Sequence, residues 1–214
     1  MNKISRRRFL ALAGGAAGAS VLGCAGLAWA GTRQLPVELD RHACEGETAQ
    51  KVLVAYATRC GSTGGVAKAV GQALCAAGAA VEVLPVGEVT DVSAYSAVVL
   101  GSAVRIAKWL PEAVRFVEEN EQALSRVPVV GFTVCMTTVE DTDANRNEAQ
   151  AFAQVARDRI GFASEAIFAG AVLKDTLPFL LRQMLKMMDT PEGDYRDWEA
   201  IAAWAMDLYP VLGQ

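Results

Sequence analysis

Histidine is almost missing from this chain: His42 is the single one in 214 residues. One imidazole cannot build the usual zinc site, and no Cys-x-x-Cys pair supplies the missing ligands. Cysteine is sparse and scattered. Cys24, Cys44, Cys60, Cys75 and Cys135 do not read as a disulfide framework, and Cys75 and Cys135 are expected to be small core residues. A basic stripe is absent as well. The net charge is −4, and the first 30 residues hold Lys3, Arg6, Arg7 and Arg8 with no acid, so the remainder is four charges more acidic than that figure. Such a surface repels phosphate backbones, which argues against nucleic acid as a partner. What the chain does hold is apolar material. A hydrophobic content of 52% and a mean hydropathy of +0.23 suffice for a buried core and exclude a disordered chain. The length suggests one domain.

The N-terminus has the layout of a targeting segment, with a basic start, an uncharged run from Phe9 to Ala30, and then polar Gly31-Thr32-Arg33. Ser5-Arg6-Arg7-Arg8-Phe9-Leu10 resembles the twin-arginine consensus, and the mildly hydrophobic Ala/Gly-rich run suits that route. Export to the periplasm or to the outer face of the cytoplasmic membrane is therefore expected. Three endings stay open. Ala28-Trp29-Ala30 fits a cleavage site, Val21-Leu22-Gly23-Cys24 resembles a lipobox that would anchor the chain through Cys24, and the uncharged run is long enough to remain as an uncleaved span. Residues 31–50 read as a linker of mixed charge, with His42 solvated in it.

From Lys51 onward, short apolar runs alternate with helical patterns. Strands are expected over 51–57, 81–84, 97–100, 127–134 and 165–172, and helices over 63–78, 111–125, 144–160 and 197–209. This alternation predicts an α/β domain over 51–214 with a doubly wound parallel sheet joined by right-handed crossovers, and five strands fit the known doubly wound order 2-1-3-4-5 better than a six-stranded Rossmann fold. A ligand then sits beyond the carboxyl ends of the strands, where the order reverses. The loops at 58–63, 102–109 and 135–143 are the candidate site.

The first of these, Thr58-Arg59-Cys60-Gly61-Ser62-Thr63, joins a strand to a helix. Backbone N–H groups at such a junction form an anion-binding concavity, which the helix dipole reinforces. The hydroxyls of Thr58, Ser62 and Thr63 donate to phosphate oxygens, and Gly61 lets the backbone turn. No lysine follows a glycine as a Walker A loop requires, and the run is not G-x-G-x-x-G. A hydroxyl-rich loop of this kind suits the terminal monophosphate of FMN. Cys60 is expected to present backbone, with its thiol pKa lowered by the helix N-terminus.

Val54 to Ala67, centred on this loop, resembles the flavodoxin signature, although Ala55 is smaller than the pattern expects. The expected sheet is then flavodoxin-like. Gly101-Ser102-Ala103-Val104-Arg105-Ile106-Ala107-Lys108-Trp109 resembles the second flavin loop. Pro178 to Met188 with Asp197-Trp198-Glu199 is similar to the C-terminal part of the menaquinone-dependent protoporphyrinogen oxidases, a flavodoxin-derived family. The resemblance covers nearly all of 51–209. It implies FMN as cofactor, held at its phosphate by Thr58 to Thr63 and at its ring by Ser102 to Ile106, with Trp109 either against the flavin or packed at the start of the following helix.

Backbone around Cys135 and Met136 is expected to border the ring, and Arg105 to lie near its open side. Leu177 to Met188 is apolar with sparse cations, suiting either a membrane surface or a helix packed on the sheet. The resemblance implies an oxidoreductase passing electrons from protoporphyrinogen, or another reduced organic substrate, to quinone. The other reading is an exported carrier that serves a redox partner protein and converts no substrate. Export opposes the first, since haem precursors are made inside the cell.

Overall fold

Lys51 opens a strand whose next six residues, Val-Leu-Val-Ala-Tyr-Ala, are all buried, the pattern of a strand covered on both faces. In the computed structural model, which describes residues 39–46, 50–172 and 192–212, this strand is central. We label it β2 (Lys51–Ala57). It pairs in parallel with β3 (Ala80–Pro85) on one side and β4 (Ala97–Arg105) on the other. Further out, β4 pairs with β6 (Val129–Cys135), and β6 with β7 (Ser164–Ala169). These five parallel strands stand in the order 2-1-3-4-5, as expected.

Side chains alternate along a strand, so β2 feeds two cores. Val52, Val54 and Tyr56 pack beneath Val66, Val70 and Leu74 of α1 (Ser62–Ala76) and Ile201 and Leu208 of α5 (Trp198–Leu212). Leu53, Ala55 and Ala57 face Phe116 and Val117 of α2 (Pro111–Leu124) and Phe152 on the other layer. The helix expected over 144–160 is broken. It runs as α3 (Asp143–Gln150), tightens into a 3₁₀ turn at Ala151–Ala153 and resumes as α4 (Gln154–Arg157), with Phe152 and Ala153 buried at the turn. Gly101 lies mid-strand because a Cβ there would stand 1.9 Å from the Phe132 ring.

Two further strands join this sheet. β5 (Lys108–Trp109) folds back antiparallel on β4. β1 (His42–Cys44), within the stretch expected to be a linker, pairs antiparallel with β3 and closes its open edge. A separate ribbon joins β8 (Ala171–Val172) to β9 (Gly193–Asp194).

The structure corrects the reading of Cys75. It is bonded to Cys44, with Cα atoms 6.3 Å apart, tying β1 to α1 across 31 residues of sequence. The pairing arises because β3 brings the two elements together, which residue spacing alone does not reveal. His42 is likewise no solvated linker residue: it is half-buried, with Nε2 3.5 Å from Cys75 Sγ. Cys135 is free and buried, as expected.

The targeting segment 1–30 and the apolar run 177–188 lie outside the described residues. Among the described residues no helix is long and apolar enough to cross a membrane.

Candidate functional site

The strands end nearly level. Ala57 pairs with Ser102, and Ser102 with Thr133, so the loops after β2, β4 and β6 emerge at one edge of the sheet. In the first loop Gly61 adopts φ 87°, which only glycine takes without steric cost, and its N–H donates to Thr58 Oγ1 at 3.0 Å. Helix α1 starts at Ser62 with no side-chain cap and no acid in its first turn. Its first N–H groups have no intrahelical acceptor, so the positive end of the helix is open to an anion. Thr63 is fully buried at this end, and its Oγ1 has no hydrogen-bond partner. A buried hydroxyl left unpaired costs roughly 1–3 kcal/mol. A phosphate oxygen is the kind of group that would satisfy it, so the residues present fit a phosphate.

Arg59 has an acidic partner. It forms an ion pair with Glu112 at the start of α2, at 2.7 Å, while its Nε and Glu112 Oε2 stay buried and unpaired. The thiol of Cys60 departs from expectation: burial pushes its pKa up, and the Arg59 charge offsets this only in part. Ser62 Oγ faces Gly170, just beyond β7. A Cβ on Gly170 would lie 3.5 Å from that oxygen and 3.7 Å from Met136 Sδ, so the first and third loops meet there.

In the second loop, Ser102 is buried and satisfied internally. Its hydroxyl donates to Ala103 O at 2.8 Å and accepts from Leu110 N–H at 3.1 Å, so it braces the loop from within. Ala103 and Val104 are half-buried, and Arg105 is exposed. The hairpin turns at Ile106 and Ala107, with φ 52° and 53°. Two positive φ angles make a type I′ turn, which normally takes Asn-Gly. Ile106 is 86% exposed at the tip.

Of its two expected places, Trp109 takes the packed one. Only 3% exposed, it packs against Phe162 with centroids 5.8 Å apart, and Nε1 donates to Thr133 Oγ1 at 2.8 Å. The ring belongs to the core and has no free face for a flavin. In the third loop Cys135 is buried with Sγ 3.8 Å from Thr138 Oγ1, and Met136 is half-buried before a 3₁₀ turn at Thr137–Val139.

One residue went unread in the sequence. Arg196, following β9, donates from Nη1 to Ser62 O at 3.3 Å. Asp194 holds its other side at 2.8 and 2.6 Å, and the guanidinium lies 4.3 Å over the Trp198 ring. A Cβ at position 65 would stand 2.5 Å from Arg196 Nη1, so a larger residue there would displace the guanidinium. The hydrogen bond from Arg196 holds the Asp194 carboxyl below its usual range. The signal was present in the run Asp194-Tyr195-Arg196-Asp197-Trp198, but only the fold brings it to the first turn of α1. A cavity of about 370 Å³, lined by Gln50, Val52, Leu74 and Tyr209, lies at the opposite end of β2 and plays no part in this cluster.

Residues 53–199 match the flavodoxin domain family. No curated protein matches the sequence. Among solved structures, a flavodiiron core from Synechocystis sp. PCC6803 superposes with TM-score 0.50 at 14% identity, covering 78% of this chain and 37% of that one. A flavodoxin from the domain Archaea gives 0.49 at 15%, covering 77% of this chain and all of that one. A mutant flavodoxin from Pseudomonas aeruginosa gives 0.49 at 11%, with coverage of 77% and 100%. At these identities the likeness is one of fold.

Proposed function

The chain belongs to the flavodoxin domain family, and we propose that it is an exported redox protein that binds FMN through the loop Thr58–Thr63. The observation that carries this reading is Thr63: a fully buried hydroxyl without a partner, at an uncapped helix N-terminus, behind a glycine turned to φ 87°. FMN is the cofactor, and when bound it supplies the electron chemistry while the protein supplies binding and electrostatics. Thr63 Oγ1 and the first N–H groups of α1 hold the phosphate. Arg196, 3.3 Å from Ser62 O, steadies that turn from outside. Backbone of Ala103 to Ile106, with Cys135 and Met136, borders the ring, and Ser102 fixes the hairpin from within.

The finer reading is an oxidoreductase of the protoporphyrinogen oxidase type that delivers electrons to quinone and works against a membrane surface. Its support is the similarity of Pro178 to Met188 and of Asp197-Trp198-Glu199 to that family. An exported electron carrier for a redox partner protein is favoured instead by Ile106, an apolar tip 86% exposed between exposed Arg105 and Lys108. Support for export comes from the twin-arginine match at Ser5 to Leu10 and from the Cys44–Cys75 bond, a feature of oxidising compartments. That route carries folded proteins, which suits a noncovalent cofactor inserted before export.

The test is to purify the protein, read its flavin absorbance and identify the released nucleotide. Oxidation of protoporphyrinogen with a menaquinone analogue then separates enzyme from carrier. A protein that neither holds nor takes up FMN ends the proposal.

A further inference from the structure

Both sulfurs of the Cys44–Cys75 pair have a polar neighbour that could take an S–H proton in the dithiol form. Cys44 Sγ lies 3.3 Å from Ala79 O, and Cys75 Sγ lies 3.5 Å from His42 Nε2, which accepts a proton in the tautomer that leaves Nε2 bare. The pair is also peripheral. β1 is a three-residue edge strand, and none of its residues belongs to the two buried clusters, although Cys44 packs against one of them from the rim. All three side chains are half-buried, so a disulfide from outside can reach them.

We propose that the Cys44–Cys75 bond is made on the already folded domain after it reaches the oxidising compartment, with His42 taking the proton of Cys75; the placement after export rests on the export reading above. The dithiol state is then a stable, folded state of the precursor, and closure locks β1 to α1 at the destination. The steps balance. His42 Nε2 accepts the Cys75 proton, and the thiolate attacks a sulfur of an external disulfide, either an oxidoreductase's or a small-molecule one. A mixed disulfide forms and the other external sulfur leaves as thiolate. Cys44 loses its proton and attacks Cys75 Sγ, which releases the second external thiolate. Two electrons and two protons pass from the pair to the donor.

Two arms test this. In cells, peptides containing Cys44 and Cys75 are analysed after thiol alkylation, in the exported protein and in a precursor retained by Arg6→Lys with Arg7→Lys, with cell fractionation reading export independently. We expect both cysteines alkylated in the retained precursor and joined in the exported protein. A retained precursor already joined, or an exported protein still in the dithiol form, overturns late closure, whereas a wild type found only inside the cell refutes the export reading instead. In vitro, the purified FMN-loaded protein is reduced and reoxidised with oxidised glutathione. The reduced protein is expected to stay folded and keep its flavin, and His42→Gln to slow closure roughly tenfold or more without shifting the melting temperature of the reduced form. Loss of fold on reduction overturns the folded dithiol state, and an unchanged closure rate overturns the role of His42.

Discussion

Trp109 donates from Nε1 to Thr133 Oγ1 across 2.8 Å, with both side chains buried, so the hairpin β4–β5 is pinned to β6 from beneath. Thr133→Val keeps the volume and removes the acceptor, leaving an indole N–H unpaired in the core. The expected cost is about 1–3 kcal/mol of stability, read by chemical denaturation of the FMN-free protein. Flavin affinity should change little, because the indole offers no face to the site. A variant of unchanged stability that loses FMN would put Trp109 back in the binding surface.

Thr63→Val makes the opposite split. The hydroxyl has no partner in the protein, so its removal should leave the FMN-free form as stable as before, or more so. A hydrogen bond to a charged phosphate contributes about 1.5–3 kcal/mol, so FMN should bind roughly ten- to a hundredfold more weakly. Titration by flavin fluorescence quenching, run beside thermal unfolding without FMN, measures both. A stability loss with full affinity would mean that the hydroxyl serves folding and not phosphate.

The tip of the second loop stores strain. Ile106 and Ala107 hold φ 52° and 53°, and a β-branched residue adopts such a conformation at a cost of about 1–3 kcal/mol. Ile106→Asn with Ala107→Gly supplies the residues this turn prefers and should raise stability by about 1 kcal/mol. If the exposed apolar tip docks a redox partner, electron transfer to that partner should slow in the same variant while FMN affinity holds. Equal transfer rates would remove the tip from the docking surface.

How much of this was legible depended on the range of the signal. The run Val52 to Ala57 announced a strand buried on both faces because burial acts residue by residue, and Gly61 announced a turn because only glycine takes φ 87° without cost. The alternation of strands and helices announced a parallel sheet, and the strand order came from the fit of five strands to a known doubly wound arrangement. His42–Cys44 was missed as a strand because three residues carry no periodicity, and its bond to Cys75 was missed because an intervening strand creates the proximity. Trp109 stayed open between two places because a loop aromatic reads the same from sequence whether it faces solvent, a ring or Thr133. Arg196 reaches Ser62 from 134 residues away, a pairing no local pattern contains.

Alkaline pH should unfold this protein through Tyr56. Its phenol is fully buried, donates to Asp40 O at 2.7 Å, and has its pKa pushed up to about 12, first by burial and then by the Asp40 charge. Tyr95, bonded to Glu82 at 2.8 Å, is pushed up to about 12 by burial and by that hydrogen bond. The ordinary value is 10.0, so between 10 and about 12 the unfolded chain releases phenolic protons that the folded chain retains. The unfolded state then binds fewer protons, and stability falls as pH rises. The contribution is intact below pH 10 and is lost as pH climbs to about 12, with a limiting slope of about 1.4 kcal/mol per pH unit for Tyr56. Denaturation midpoints followed across that window should drop, with phenolate absorbance appearing together with unfolding and not before it. Tyr56→Phe should flatten the decline while costing stability at neutral pH, where the bond to Asp40 is lost. A wild type whose Tyr56 ionises freely in the folded state, with no fall in midpoint, would show that this phenol is open to solvent.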